Sequence, residues 1–169
     1  GGSLGSVAIN NALRALLPEL LKTYDVIHVC GKGNLDETLA DTEGYRQYEF
    51  LSDGLRNLYA LADVVISRAG ANVICELLAL KKPNILIPLP LDQSRGDQIL
   101  NAKSFEKQGF SYVLDQHEME KDVQLLATAI ETVYTKRAEY IHAMQQSEQG
   151  NGVDRVIAVL QEVLATAKK

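Results

Sequence analysis

One segment constrains the fold of this chain more than any other. It begins with Ala62-Asp63-Val64-Val65-Ile66 and runs directly into Ser67-Arg68-Ala69-Gly70-Ala71-Asn72-Val73-Ile74-Cys75-Glu76. The first part is short, apolar and β-branched, the pattern of a fully buried strand in a parallel sheet. In the second, Val73, Leu77, Leu78 and Leu80 recur at helical spacing, which predicts a helix from Ala71 to Leu80. Gly70 between them allows a tight turn and close approach of another group to the backbone. The N–H groups of Ala71, Asn72 and Val73 then face outward at the positive end of the helix dipole, where an anion such as phosphate fits. Glu76 lies about one and a half turns further on, placed to accept hydrogen bonds from two adjacent hydroxyls. Phosphate plus a vicinal diol describes a nucleotide ribose. Each part also has a plain reading. Such turns occur in α/β proteins without a ligand, Glu76 fits a solvated helix face, and Arg68 can bridge to an acid or cap a carbonyl.

The rest of the chain repeats this unit. Strands are predicted over Asp25 to Cys30, Tyr45 to Leu51, Val64 to Ser67, Asn84 to Ile87 and Ser111 to Leu114. Helices are predicted from the Gly-rich opening to Leu21, with Val7, Leu13, Leu16, Leu17 and Leu20 on the apolar side, and over Leu35 to Ala40 and Leu55 to Ala62. Further helices follow over Asp97 to Gln108, Lys121 to Tyr134, Arg137 to Gln145 and Val153 to Ala167. After the Ala71 to Leu80 helix, Lys81 and Lys82 suit the negative dipole end and Pro83 stops continuation. The alternation predicts an α/β fold, a Rossmann-like parallel sheet with helices on both faces. The 169 residues suffice for one such domain, residues 1–169, with an ample core. The Gly-rich loop Gly1 to Ser6 opens the chain without a strand in front of it, whereas such loops follow a central strand in doubly wound folds. A first strand is therefore expected before Gly1, and the chain is expected to be the second half of a longer protein.

Composition excludes several classes. A net charge of −5 argues against a nucleic-acid binder. No apolar run approaches the roughly 20 residues needed to span a bilayer. Cys30 and Cys75 match no metal or redox spacing and read as free buried thiols in a reducing compartment. His28 reads as a packed strand residue. No metal and no cofactor are expected.

Three predicted strand–helix junctions, Gly1 to Ser6, Ser67 to Val73 and Asp92 to Gln98, open on the carboxyl edge of a parallel sheet, where ligands bind. They offer the Ser3 hydroxyl, a helix N-terminus with Arg68 and Glu76, and the pair Asp97-Gln98, suited to sugar hydroxyls. Asp97 reads equally well as the N-cap of the helix that follows.

The elements GGSLGS, YEFLSDGLRNLYALADVVISRAGANVICELLALKKPNILIPLP and SRGDQILNAKSFEKQG, in this order, resemble the C-terminal domain of the MurG family. These are undecaprenyl-diphospho-muramoylpentapeptide β-N-acetylglucosaminyltransferases of bacterial peptidoglycan synthesis. The resemblance covers essentially the whole chain. It implies the C-terminal half of a two-domain GT-B glycosyltransferase that binds UDP-GlcNAc and transfers GlcNAc, with inversion, to lipid I to form lipid II. By position, Ser3 would contact the diphosphate, the Leu51 backbone would pair with uracil, and Leu55 would pack on that base. Glu76 would hold the ribose, and Ala71, Asn72 and Val73 would aim N–H groups at phosphate or sugar. Asp97 and Gln98 would hold the GlcNAc hydroxyls, although Asp97 departs from the Gln-Gln pair of some members. Arg68 matches a family arginine without an assigned contact. No Asp-x-Asp signature is present, in keeping with metal-independent transfer.

The resemblance places the general base, the lipid I site and the membrane-docking surface in an N-terminal half. The full-length enzyme is expected in the cytoplasm, peripheral at the inner face of the cell membrane. This chain alone is expected to bind the donor and catalyse nothing, and an exposed sheet edge offers a route to self-association. Two alternatives stand beside this reading: a separate UDP-sugar-binding subunit that recruits a membrane acceptor subunit, and a GT-B transferase or UDP-sugar epimerase with another substrate.

Overall fold

Short parallel strands alternate with helices along the chain in the computed structural model, which describes residues 4–51 and 54–147. In order these are α1 (Val7–Leu20), β1 (Val26–Val29), a 3-10 turn (Glu37–Leu39), β2 (Tyr45–Tyr48), α2 (Leu55–Leu61), β3 (Val65–Ser67) and α3 (Ala71–Ala79). There follow β4 (Asn84–Leu86), α4 (Asp97–Lys107), β5 (Tyr112–Val113), α5 (Gln116–Lys121), α6 (Gln124–Thr135) and α7 (Arg137–Gln145). The helix expected over Val153 to Ala167 lies outside the described residues.

All strand pairings are parallel, β1 with β2 and β3–β4–β5 in sequence order. No described strand joins the two groups. Alternate residues of the second sheet feed two cores, as the two-residue strand period requires. Ile85 and Ile87 join Leu13, Leu16 and Leu20 of α1 and Leu126, Ile130 and Val133 of α6. Leu86 instead joins Leu77 and Leu78 of α3, Phe105 of α4 and Met144 of α7. Helices thus cover both faces of this sheet, which positions its carboxyl edge as the open one.

Some sequence expectations need correction. Residues 64–67 are only half-buried, because β3 pairs with β4 alone and its other ladder edge is open among the described residues. Val7 does not join the apolar side of α1; as the first helical residue it is 67% exposed. Cys30 is buried but Cys75 is exposed, on the outer face of α3. The weak helix over Leu35 to Ala40 is the single 3-10 turn capped by Asp36. Residues 116–121 form a separate short helix, because Asp115 accepts from the backbone N–H groups of His117 and Glu118 and the extended Asp122 ends it.

Two glycines fasten the N-terminal loop to the end of β1. A Cβ on Gly5 would collide with the Cys30 carbonyl, and one on Gly31 would collide with the Gly5 backbone. Both sit at positive φ, 75° and 92°, where a side chain would be strained in any case. Below them Asn10 of α1 donates from Nδ2 to the Cys30 carbonyl (2.8 Å) and lies 2.9 Å by Oδ1 from His28 Nε2. His28 Nδ1 lies 2.8 Å from the Tyr45 hydroxyl. As Asn10 presents its oxygen, His28 carries its proton on Nε2 and accepts the Tyr45 proton at Nδ1. His28 is a satisfied strand residue. Burial, and secondarily the Arg14 guanidinium, lower its pKa to about 4.

Candidate functional site

The turn after β3 reaches the surface because Ser67 ends a strand and Gly70, at extended φ and ψ, caps α3 without a side-chain hydrogen bond. The first turn of α3 holds no acidic residue either. The N–H groups of Ala71, Asn72 and Val73 therefore lack the usual side-chain partners of a helix start. Their residues border a cleft of about 850 Å³, a size suited to a small-molecule ligand. The cleft spans the carboxyl ends of β3, β4 and β5, because Ser67, Leu89 and Gln116 all line it. Across it stands the start of α1, from Gly5 to Ala8. That helix also carries no acid in its first turn, and its cap Ser6 reaches Ile9 N only at 3.4 Å.

Arg68 forms a brace beneath this arrangement. Its Nη1 donates to the carbonyls of Ile87 (3.0 Å) and Pro88 (3.2 Å), and its Nη2 donates to Ser6 Oγ (2.7 Å). The residue therefore caps carbonyls and ties the start of α1 to the loops after β3 and β4. Burial works against its charge, and the neighbouring Glu120 carboxylate offsets that effect.

Gln98 reaches the cleft from the first turn of α4, and its Oε1 accepts from Leu89 N (3.2 Å). With its oxygen so engaged, the amide presents its Nε2 donors for other contacts. Asp97 does not line the cleft; it is exposed in the same turn. It is not the N-cap either, since Gly96 takes that position at φ 89°. Left-handed backbone there suits glycine, and Asp97 falls one residue inside the helix.

The remaining expected residues divide into two groups. Glu76, Leu51 and Leu55 do not line the cleft. Glu76 is exposed on α3 and faces α2, where its carboxylate adds to the burial that raises the Tyr59 phenol pKa. Leu55 begins that same α2 and Leu51 precedes it. Ser3 lies outside the described residues. The structure brings Arg68, Ala71, Asn72, Val73 and Gln98 into one cleft, while Glu76 sits on the side of α3 that faces Tyr59 of α2.

Several lining residues carry no motif in the sequence. Asn11 enters from α1, and Gln116 and Glu120 from α5. Asn101 of α4 does not line the cleft but donates to the Ala69 carbonyl (3.0 Å), fixing the β3–α3 turn from behind. The Asp115 cap was the available signal for α5 and hence for Gln116. No cluster of His, Cys, Asp and Glu suited to a metal occurs among the described residues.

The chain matches the family described as glycosyltransferase family 28 C-terminal domain over residues 1–160. It is 55% identical over 162 residues to the UDP-N-acetylglucosamine–N-acetylmuramyl-(pentapeptide) pyrophosphoryl-undecaprenol N-acetylglucosamine transferase of Clostridium perfringens, covering 96% of this chain and 45% of that protein. The Lachnospira eligens enzyme of the same name is 51% identical over the same shares. The crystal structure of Acinetobacter baumannii MurG matches with a TM-score of 0.71 at 26% identity, covering 96% of this chain and 48% of that one. A glycosyltransferase of kitacinnamycin shares the fold at 16% identity, with a TM-score of 0.58 over 96% of this chain and 41% of that one. The chain spans a little under half the length of the relatives it matches.

Proposed function

Because this chain belongs to the glycosyltransferase family 28 C-terminal domain family, we propose that it is the donor-binding half of an inverting GT-B transferase. In this reading it holds UDP-GlcNAc while GlcNAc passes to the C4 hydroxyl of the MurNAc unit of lipid I, giving lipid II. The observation that carries the reading is the cleft between the uncapped start of α3 and Gln98. An anion gains from the free N–H groups and helix dipole on one side, and a hydroxyl-bearing group gains from the Gln98 amide on the other.

Each residue then has a task. The N–H groups of Ala71, Asn72 and Val73 face the diphosphate and stabilise the charge that grows on the departing UDP. Fixed donors in a sheltered site do this without reorganising during reaction. Gln98 Nε2 donates to a GlcNAc hydroxyl, with Asp97 beside it. Glu76 accepts from the ribose hydroxyls, Leu55 packs on uracil and the Leu51 backbone pairs with it. Ser3 joins the diphosphate contacts. Arg68 acts as a positioning residue, since three of its five N–H donors are held by Ile87, Pro88 and Ser6. The attacking hydroxyl, its general base, the lipid I site and the peripheral membrane contact belong to the other half of the enzyme. No helix among the described residues is long and apolar enough to cross a membrane.

Calorimetric titration of the chain with UDP, UDP-GlcNAc and UDP-glucose tests the reading. Binding of the uridine nucleotides is expected, with no turnover of UDP-GlcNAc onto lipid I by this chain alone. Absence of binding to all three at millimolar ligand overturns it. Glu76→Ala should weaken all three ligands by roughly 10- to 100-fold, the worth of hydrogen bonds to a charged group. Unchanged affinity would return Glu76 to a solvated helix face.

A further inference from the structure

Gln116 borders the cleft and is only 2% exposed, yet its side-chain oxygen has no hydrogen-bond partner. Its Nε2 donates to Glu120 Oε1 at 2.9 Å. A carboxylate only accepts hydrogen bonds, so the amide must turn its NH₂ toward Glu120 and its carbonyl oxygen away. Glu120 is itself held. Its Oε2 lies 3.4 Å from His117 Nδ1, and His117 Nε2 lies 3.3 Å from Asp92 Oδ1 in the loop after β4. Both contacts require a proton on the ring nitrogen, and the two carboxylates raise the His117 pKa accordingly. Three residues of two segments thus fix which end of one glutamine amide faces Glu120, and its oxygen is left unsatisfied. Buried acceptors are seldom left in that condition without a reason outside the fold.

We propose that Gln116 is a specificity residue for the hexose of the nucleotide sugar, its Oε1 accepting a hydrogen bond from a hydroxyl or amide N–H of that sugar. The proposal rests on the nucleotide-sugar reading of the cleft. The charge pattern selects the sugar over the diphosphate. Glu120, beside Gln116, repels an anion, whereas the α3 end of the same cleft offers free N–H groups and no acid in its first turn. The terminal torsion of glutamine is soft, so the oxygen can turn toward a ligand while Nε2 keeps Glu120. A site that spends a buried acceptor in this way discriminates against ligands lacking the matching donor.

Paired titrations of the chain with UDP and UDP-GlcNAc test this. Gln116→Leu keeps the side-chain bulk and removes the acceptor. It should weaken UDP-GlcNAc by roughly 3- to 10-fold and leave UDP unchanged, the range of one neutral hydrogen bond. An equal loss for both ligands, or no loss for either, overturns the proposal. Glu120→Ala, at a partly exposed position with little risk to folding, releases the amide and should produce a smaller loss of the same kind. If Gln116→Leu fails to fold, an unchanged UDP-GlcNAc to UDP ratio in Glu120→Ala overturns the proposal alone. Wild-type chain that binds neither ligand overturns the nucleotide reading, and this inference with it. Wild-type binding with an unaltered ratio in both variants sinks only the role of Gln116.

Discussion

His28 shows how one residue can serve the site without touching it. Its ring links Tyr45 of β2 to Asn10 of α1, and Asn10 in turn holds the carbonyl of Cys30 against which Gly5 packs. Because burial lowers its pKa to about 4, the folded chain resists a proton that the unfolded chain takes up near 6.5. The unfolded state therefore binds more protons between those values, and stability falls as pH falls through that window. The loss should reach roughly 2–3 kcal/mol by pH 4. Urea denaturation from pH 7.5 to 4 measures it, and the difference from a His28→Gln variant isolates this residue from the carboxylates. Residues of this kind were half legible. The apolar strand around His28 indicated packing, but its partners are 17 and 18 residues away. Arg68 was similarly open between an acid, a carbonyl and a ligand. Only the fold supplied Ile87, Pro88 and Ser6 as its partners.

At the scale of elements, α3 was read to within a residue at both ends, because Gly70 and Pro83 punctuate it and its apolar spacing is regular. Its C-terminal cap was not foreseen. Lys81 takes a left-handed conformation at φ 52°, while its N–H bonds Leu78 O and that of Lys82 bonds Leu77 O. This is the pairing of a Schellman motif, in which glycine is the favoured residue at the left-handed position. Lys82 spans from that cap to the carbonyls of Ala60 and Ala62. Lys81→Gly removes the steric cost of the left-handed lysine and adds some unfolded-state entropy. A net gain of about 0.5–1 kcal/mol is expected from thermal or urea unfolding, and a loss would show that the Lys81 side chain holds something the backbone geometry does not reveal. The α5 helix was missed for the opposite reason. Six residues carry too little periodicity to separate it from α6, and Gln116 was missed with it.

For the molecule as a whole, the edges of β1 and β3 that no described strand pairs set the expected behaviour. The backbone N–H groups of Val26 and Cys30 bond β2, so the strand alternation turns those of Ile27 and Val29 away from it. In β3 the bonds of Val65 and Ser67 go to the β4 side, which turns Ile66 to the other edge. Unpaired edges of this kind invite another strand. Sedimentation velocity of this 169-residue chain should show concentration-dependent association, reduced by Ile27→Lys on β1. A monomer at every concentration up to about 100 µM, a range in which exposed edges commonly associate, would count against the edges as the route.

What the amino-acid order determined by itself was local and periodic. Short β-branched runs, helical apolar spacing and glycines at turns fix elements within a few residues of chain, so the alternating parallel architecture and the anion-ready start of α3 could be read directly. The tertiary structure alone decided which side chains meet. It set Arg68 as a brace, turned Glu76 toward Tyr59 of α2, and brought Gln98 and Gln116 to the lining of one cleft. Those outcomes depend on contacts between residues far apart in sequence, whose energies arise only once the helices have packed on the sheet and no local pattern records them.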